Sequence, residues 1–315
     1  MINRRSFITG VRGIKLSRQE TIFLRKYKPW GIILFSRNLK NIKQIKNLTK
    51  EIRKIFGDKN YPIMIDQEGG RINRLKKFIE LDYFTSEYFG ELFIKDRALF
   101  NLTFKLYIDK TSYFLKNLGI NINTVPVLDT RYKGSSNIIG DRSYSNSPSI
   151  VSEIGDICIK HFKNNSIGTV IKHIPGHGLA KVDSHHQTPF INKSLVFLKN
   201  NDFKAFTSKN SLFAMTAHVV FNKIDSKNTV THSTKVIKLI RNHIKFKNIL
   251  ISDDLSMKSL KLPLKENIIN TFKSGCNLAL HCNGNLKEMN IVAENSPIIN
   301  SFILKKTSEF YKNIS

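Results

Sequence analysis

A chain of 315 residues that is 41% hydrophobic and 24% charged has ordinary globular composition, which excludes a disordered, collagenous or fibrous protein. Its 51 Lys and Arg against 24 Asp and Glu leave a formal charge of +27, a balance that suits an acidic partner such as nucleic acid. The lysines, however, are scattered through nearly every segment without a basic block or an aromatic-basic stripe, so the basic nucleic-acid-binding protein is the weaker reading and lysine filling solvent positions the stronger. No apolar run is long enough to span a membrane. Three cysteines, Cys158, Cys276 and Cys282, are an odd number without metal-ligand spacing, which points away from a disulfide framework or a zinc ribbon and toward free thiols in a reducing compartment. The length fits one large domain or two small ones.

The start, Asn3-Arg4-Arg5-Ser6-Phe7, imitates a twin-arginine export signal, but Arg12 and Lys15 interrupt its would-be apolar stretch; a cytoplasmic protein is expected. Ser17 and Glu20 form a capping-box pattern that announces a first helix. Gly31-Ile32-Ile33-Leu34-Phe35 then reads as a buried strand. Ile42, Ile45, Leu48, Ile52 and Ile55 recur at helical spacing before a second strand, Pro62 to Ile65. A helix through Leu106, Phe114 and Leu118 stops at Gly119, ahead of a strand from Ile120 to Val127. A further helix, with Ile150, Val151, Ile154, Ile157 and Phe162 inward, leads to a strand from Ser166 to Lys172. Leu212 to Ala217, Ile249 to Ser252 and Leu278 to Leu280 complete a set of seven. An eighth strand around Pro297 to Ile299 is weak. Alternating strands and helices of this kind predict an α/β chain, first a (β/α)₈ TIM-type barrel, second a barrel with an irregular or incomplete last unit, and third a doubly wound open sheet.

Parallel α/β folds bind ligands at the carboxyl ends of their strands, and the polar residues gather there: Asp66, Asp129, Lys172 with His173, His218, and Asp253 with Asp254. Three segments carry chemistry. Lys172 to Pro189 contains two glycines and two prolines beyond its strand and is expected to be an exposed loop. Within it, Asp183 and His185 are spaced so that a carboxylate orients an imidazole, which makes a proton shuttle. His173, His177, His185 and His186 show no compact zinc pattern, so no metal or other cofactor is expected. At Ser252-Asp253-Asp254-Leu255-Ser256-Met257 a strand ends in two acids. In a retaining glycosidase one carboxylate attacks the sugar and a second group shuttles the proton, a division of labour that Asp253 and His185 fit; helix capping by both acids is the alternative. In Met64 to Arg74, Asp66 can accept sugar hydroxyls and an Arg can donate to further oxygens.

Taken in order, the strings GIILFSRN from Gly31, DQEGGRINR from Asp66, VPVLD from Val125, IGDRSY from Ile139, the loop from Lys172 to His186, MTAH from Met215 and SDDLSM from Ser252 resemble glycoside hydrolase family 3, specifically its single-domain bacterial β-N-acetylglucosaminidases of cell-wall recycling. The resemblance is strongest over residues 16–283 and implies one catalytic barrel domain over 1–315. It implies Asp253 as nucleophile, His185 as an unusual acid/base and Asp183 as its partner, with Asp254 in support. Asp66, Arg74, Arg142, Lys172 and His173 are implied as contacts to the terminal sugar. The implied reaction removes non-reducing terminal GlcNAc from peptidoglycan fragments such as GlcNAc-1,6-anhydroMurNAc, with or without peptide, by double displacement through a glycosyl-aspartate. A phosphorylase or a broader β-glycosidase of the same family is the alternative. The partner expected is thus a small molecule, met by a monomer without membrane or nucleic acid. Three positions depart from the family pattern: Ile174 replaces an aromatic residue, and Leu179 and Asn277 replace acids.

Overall fold

The computed structural model describes residues 3–314. Eight parallel strands close into a barrel: β1 (Arg5–Gly10), β2 (Pro29–Leu34), β3 (Ile63–Ile65), β4 (Ile122–Asn123), β5 (Gly168–Ile174), β6 (Phe213–Thr216), β7 (Ile249–Asp254) and β8 (Leu278–His281). Neighbours in the barrel follow chain order, and β1 closes the ring by pairing with β2 on one side and β8 on the other. Helices between the strands cover the outside, so each strand is buried on both faces, which explains why these segments read as continuous apolar runs rather than alternating ones.

The seven strands expected from apolar runs are all present, and the barrel is complete. The eighth is not at Pro297 to Ile299. It is β1, the segment that imitated an export signal, with Ile8 paired to Leu280 and to Gly31. Ser6 and Thr9 are buried in it, and these hydroxyls hide the strand from a reading based on apolar runs. Residues 297–299 instead cross beneath β1 in an antiparallel bridge, Ser6 N donating to Pro297 O at 2.7 Å and Ile299 N to Arg4 O at 2.9 Å. The stretch from 120 to 127 is a short ladder only, because Pro126 has no N–H to give to it.

The capping box forms as expected: Ser17 Oγ accepts from Glu20 N at 3.1 Å, and Glu20 Oε2 accepts from Ser17 N at 2.9 Å, at the start of α1 (Arg18–Tyr27). In α2 (Ile42–Phe56) the predicted face buries Ile45, Leu48 and Ile52, while Ile42 stays exposed at the first turn. Two helices fill the third crossover, α3 (Ser86–Lys95) and the 21-residue α4 (Arg97–Asn117). The buried stripe of α4 runs through Phe100, Phe104, Ile108 and Leu115, and Leu106 lies on its solvent side. Gly119 follows with φ +74°, a left-handed turn that ends the helix.

Inside the barrel Ile8, Trp30, Met64, Val170, Phe213 and Ile249 pack together with Ile303 and Phe310 from the last helix, Ser301–Ile314. That helix plugs the amino end of the barrel. The Phe310 ring meets Phe213 edge-on at 5.5 Å, and Trp30 Nε1 donates to Thr307 Oγ1 at 2.9 Å. With this end sealed, the opening is left to the carboxyl ends of the strands. Among the described residues no helix is long and apolar enough to cross a membrane.

Candidate active site

Two residues beyond β3, Asp66 and Glu68 enter the mouth of the barrel beside three cations. Arg142, on the turn after the third crossover, grips Glu68 with both arms: Nε donates to Oε2 at 2.7 Å and NH2 to Oε1 at 2.9 Å. Lys172, deep in β5, places Nζ 2.6 Å from Glu68 Oε1, 3.4 Å from Asp66 Oδ1 and 2.9 Å from Thr124 Oγ1. Arg74 NH2 lies 3.6 Å from Asp66 Oδ2, and Thr124 donates to Asp66 Oδ1. Burial alone would push both carboxyls up, but Arg142 and Lys172 hold Glu68 far below the carboxylate range, while Lys172 and Arg74 hold Asp66 below it. Both acids are therefore anionic, and Lys172 and Arg142 are fixed by them. This end of the cavity presents charged acceptors and donors in rigid positions, the kind of surface that sorts hydroxyl groups.

Asp129, fully buried after β4, organises the next segment. Its Oδ2 is 2.7 Å from His173 Nδ1, and its Oδ1 accepts from His177 N at 2.7 Å. Burial is outweighed by His173 and then His177, so its carboxyl is held below the usual range. A carboxylate cannot donate, so His173 Nδ1 carries the proton and Nε2 is the free nitrogen of a ring that lines the cavity. His177 is buried, with Nε2 3.1 Å from Ser184 Oγ, and burial with His173 nearby pushes it down to about 4; it is neutral and structural.

From here the chain leaves the barrel as the predicted loop. Gly178 passes so close to the strand-4 segment that a Cβ would fall 1.8 Å from Thr130 O, so only glycine fits. At its far end Asp183 Oδ1 accepts from His185 N at 2.7 Å and from His185 Nδ1 at 2.9 Å. The ring is fixed at one nitrogen and offers Nε2. Burial raises the Asp183 carboxyl, but the two hydrogen bonds from His185 prevail and bring it below its ordinary value. The His185 side chain is 60% exposed, so the imidazole stands at the rim rather than inside the wall.

Asp253 lines the same cavity from the end of β7. Its Oδ1 accepts from Asp254 N at 2.8 Å. Burial would raise its carboxyl; His173 and His218, followed by that amide and His185, hold it below the carboxylate range. His218 Nε2 donates to Asp254 O at 3.1 Å, which leaves Nδ1 to accept from Thr231 at 2.7 Å. Burial lowers its affinity for a proton, so it is a neutral prop. Asp254 also borders the cavity, but its oxygens are already taken by Ser256 N, Ser256 Oγ and Cys282 N at 3.1, 2.8 and 3.1 Å, tying β7 to β8. Of the two acids, only Asp253 has an oxygen left over.

Asp66, Arg74, Arg142, Lys172, His173, His185 and Asp253 all line one cavity of about 300 Å³, and Asp183 stands directly behind His185. Every candidate residue is thus brought together. Glu68 and Thr124 received no role from the sequence, while Asp129 was placed only among the strand-end polar residues and His177 only among the histidines weighed as metal ligands. Glu68 had a signal, its spacing of two from Asp66 just past a strand; the contacts of the others are visible only once β4 and β5 are side by side. Among the described residues no group of three or more His, Cys, Asp or Glu is arranged to hold a metal ion.

A closed parallel barrel in which an oriented imidazole and a carboxylate with a free oxygen line one polar cavity fits a hydrolase of glycosidic bonds. Residues 7–306 match the Glycosyl hydrolase family 3 N terminal domain, and the chain belongs to that family. It is 32% identical over 289 residues to the beta-hexosaminidase of Neisseria meningitidis serogroup C, covering 90% of this chain and 79% of that one. It is 31% identical over 314 residues to the beta-hexosaminidase of Photobacterium profundum, covering 96% and 91%. Among solved structures it is similar to NagZ from Neisseria gonorrhoeae in complex with N-trifluoroacetyl-D-glucosamine, at a TM-score of 0.88 and 27% identity over 98% of this chain and 90% of that one.

Proposed function

We propose that this glycoside hydrolase is a retaining β-N-acetylglucosaminidase that removes non-reducing terminal GlcNAc from peptidoglycan fragments such as GlcNAc-1,6-anhydroMurNAc, with or without peptide. The observation that carries the reading is the shared cavity: Asp253 and His185 reach it from separate elements, while Asp66, Arg74, Arg142, Lys172 and His173 line the rest of its polar wall. The relatives named beta-hexosaminidase and the neighbour bound to a glucosamine derivative support the choice of sugar.

In the first step Asp253 attacks the anomeric carbon while His185 Nε2–H gives its proton to the departing oxygen, forming a glycosyl-aspartate and a free aglycone. Asp183 steadies the imidazolium before the transfer and the ring's tautomer after it. In the second step His185 Nε2 takes a proton from water, the water oxygen bonds to the anomeric carbon, and Asp253 leaves as carboxylate. Two inversions retain the β configuration. Asp66, Arg74, Arg142, Lys172 and His173 hold the sugar. We take the chain as one catalytic domain, acting as a monomer on a small soluble substrate in the cytoplasm.

The test is product analysis with chitobiose and an anhydromuropeptide, followed by NMR before mutarotation. The expected result is β-GlcNAc from both; α-GlcNAc would refute double displacement. Because an imidazole, unlike a carboxylate, does not repel an incoming anion, phosphate is included in a parallel reaction. GlcNAc 1-phosphate there would make the enzyme a phosphorylase.

A further inference from the structure

Beside the catalytic cavity, on the outer side of the loop that carries His185, lies a second groove of about 460 Å³. One wall is the loop itself, with Lys181, His186 and Phe190; the other is the turn after β7, with Lys258 and Lys261. The two walls are pinned by Thr188 Oγ1, which donates to Ser259 O at 2.7 Å. No Asp or Glu lines the groove. Lys181, Lys258 and Lys261 are all exposed, and among the described residues none of them is within ion-pair distance of a carboxylate. The contrast with the catalytic cavity is sharp: there Arg142, Lys172 and Arg74 are each paired with Glu68 or Asp66, whereas here the lysines have no carboxylate partner.

Position says what the groove can hold. His185 borders the catalytic cavity and His186, its neighbour in the chain, borders the groove. The acid that protonates the glycosidic oxygen stands at the junction of sugar and aglycone, so what continues past it is the aglycone. Three ammonium groups in a concave strip call for carboxylates, and the Phe190 ring, 52% exposed, offers a place for an apolar side chain among them. We propose that Lys181, Lys258 and Lys261 form an aglycone subsite that selects GlcNAc glycosides whose leaving group carries carboxylates, above all an acidic peptide. This rests on the glycosidase reading and assigns its aglycone preference to named residues.

The experiment compares kcat/KM on chitobiose, whose aglycone is neutral, with kcat/KM on GlcNAc-anhydroMurNAc-peptide, for the wild-type chain and for the double variant K258E/K261E. Neither substituted residue touches the catalytic cavity, so cleavage of chitobiose reports that the variant is folded. The expected result is a loss of about tenfold on the acidic substrate, mostly in KM, from two rim charges reversed, with chitobiose unchanged. The wild-type advantage on the acidic substrate should also shrink between about 0.05 M and 0.5 M salt as screening sets in. Equal losses on both substrates, or none on the acidic one, would overturn the subsite while leaving the glycosidase reading standing. A wild-type chain that cuts neither substrate would overturn both.

Discussion

Glu68 carries more of the site than its place in a glycine-rich string suggests. Its two oxygens hold Arg142 and Lys172; Glu68 and Lys172 are buried and Arg142 is largely so. Glu68→Gln leaves Arg142 without its carboxylate partner and Lys172 with Asp66 alone, and a broken buried pair costs about 3–5 kcal/mol; the expected outcome is a lower melting temperature together with a raised KM. The pH dependence follows from the same carboxylate. Its folded-state pKa is depressed, so its stabilising contribution is present above the unfolded value and is lost as pH falls through the folded one. Asp66, Asp129 and Asp253 are depressed too, so melting temperature should drop below about pH 4, and Glu68→Gln should flatten that slope.

For the reacting pair the expected effects differ by substrate. Asp253→Ala should abolish turnover of every glycoside and leave the circular dichroism spectrum intact; unchanged activity would remove the nucleophile. His185→Ala should slow glycosides with poor leaving groups by about 10²–10⁴-fold and activated aryl glycosides far less, because only the former need the proton. Equal losses on both would contradict its role as acid.

At the level of elements, the sequence showed most of the barrel because a parallel strand buried on both sides leaves an apolar run, and seven strands did. It failed at Arg5–Gly10, where Ser6 and Thr9 replace apolar residues in a strand that is nonetheless buried. It failed again on the far end of the chain, since a helix that plugs a barrel has no signature distinguishing it from one that packs outside. Phe310→Ala tests that plug: removing a fully buried ring from the barrel floor should cost about 3–5 kcal/mol in denaturant unfolding, while a change under about 1 kcal/mol would place the ring outside the core.

Asp202 lies on the short turn (Asp202–Phe206) beneath Gly176. A Cβ on Gly176 would lie 2.7 Å from Asp202 Cβ, so the acid supports the root of the His185 loop. Burial, with Asp129 adding to it, pushes this carboxyl up to about 8. The sign is opposite to that of Glu68: between its unfolded value near 4 and about 8 only the unfolded state ionises, so stability falls as pH rises across that window. Asp202→Asn should therefore gain stability over the wild type as pH rises from about 4 to 8, measured by thermal melts at each pH. A pH-independent difference would mean that Asp202 is ionised in the fold.

At the level of the whole molecule, the candidate site was legible to the extent that chemistry lay at strand ends. Asp66, Lys172, His173 and Asp253 were found that way, and the Asp183–His185 spacing revealed the dyad. What a linear reading could not supply was convergence. Glu68 gains its meaning from Arg142 across the mouth, and Asp129 from the neighbouring strand. The charge of +27 is likewise not uniform in effect, being paired with carboxylates at the sugar end of the cavity and free in the groove beyond His185.

The central claim is that Asp253 and His185 act on the same sugar carbon. Its most direct test is mass spectrometry of His185→Ala denatured during turnover of an activated aryl β-N-acetylglucosaminide, where the first step survives and the second is slowed. The account predicts one N-acetylhexosamine on the peptide containing Asp253. An adduct on another residue, or steady turnover of that substrate by Asp253→Ala, would contradict it.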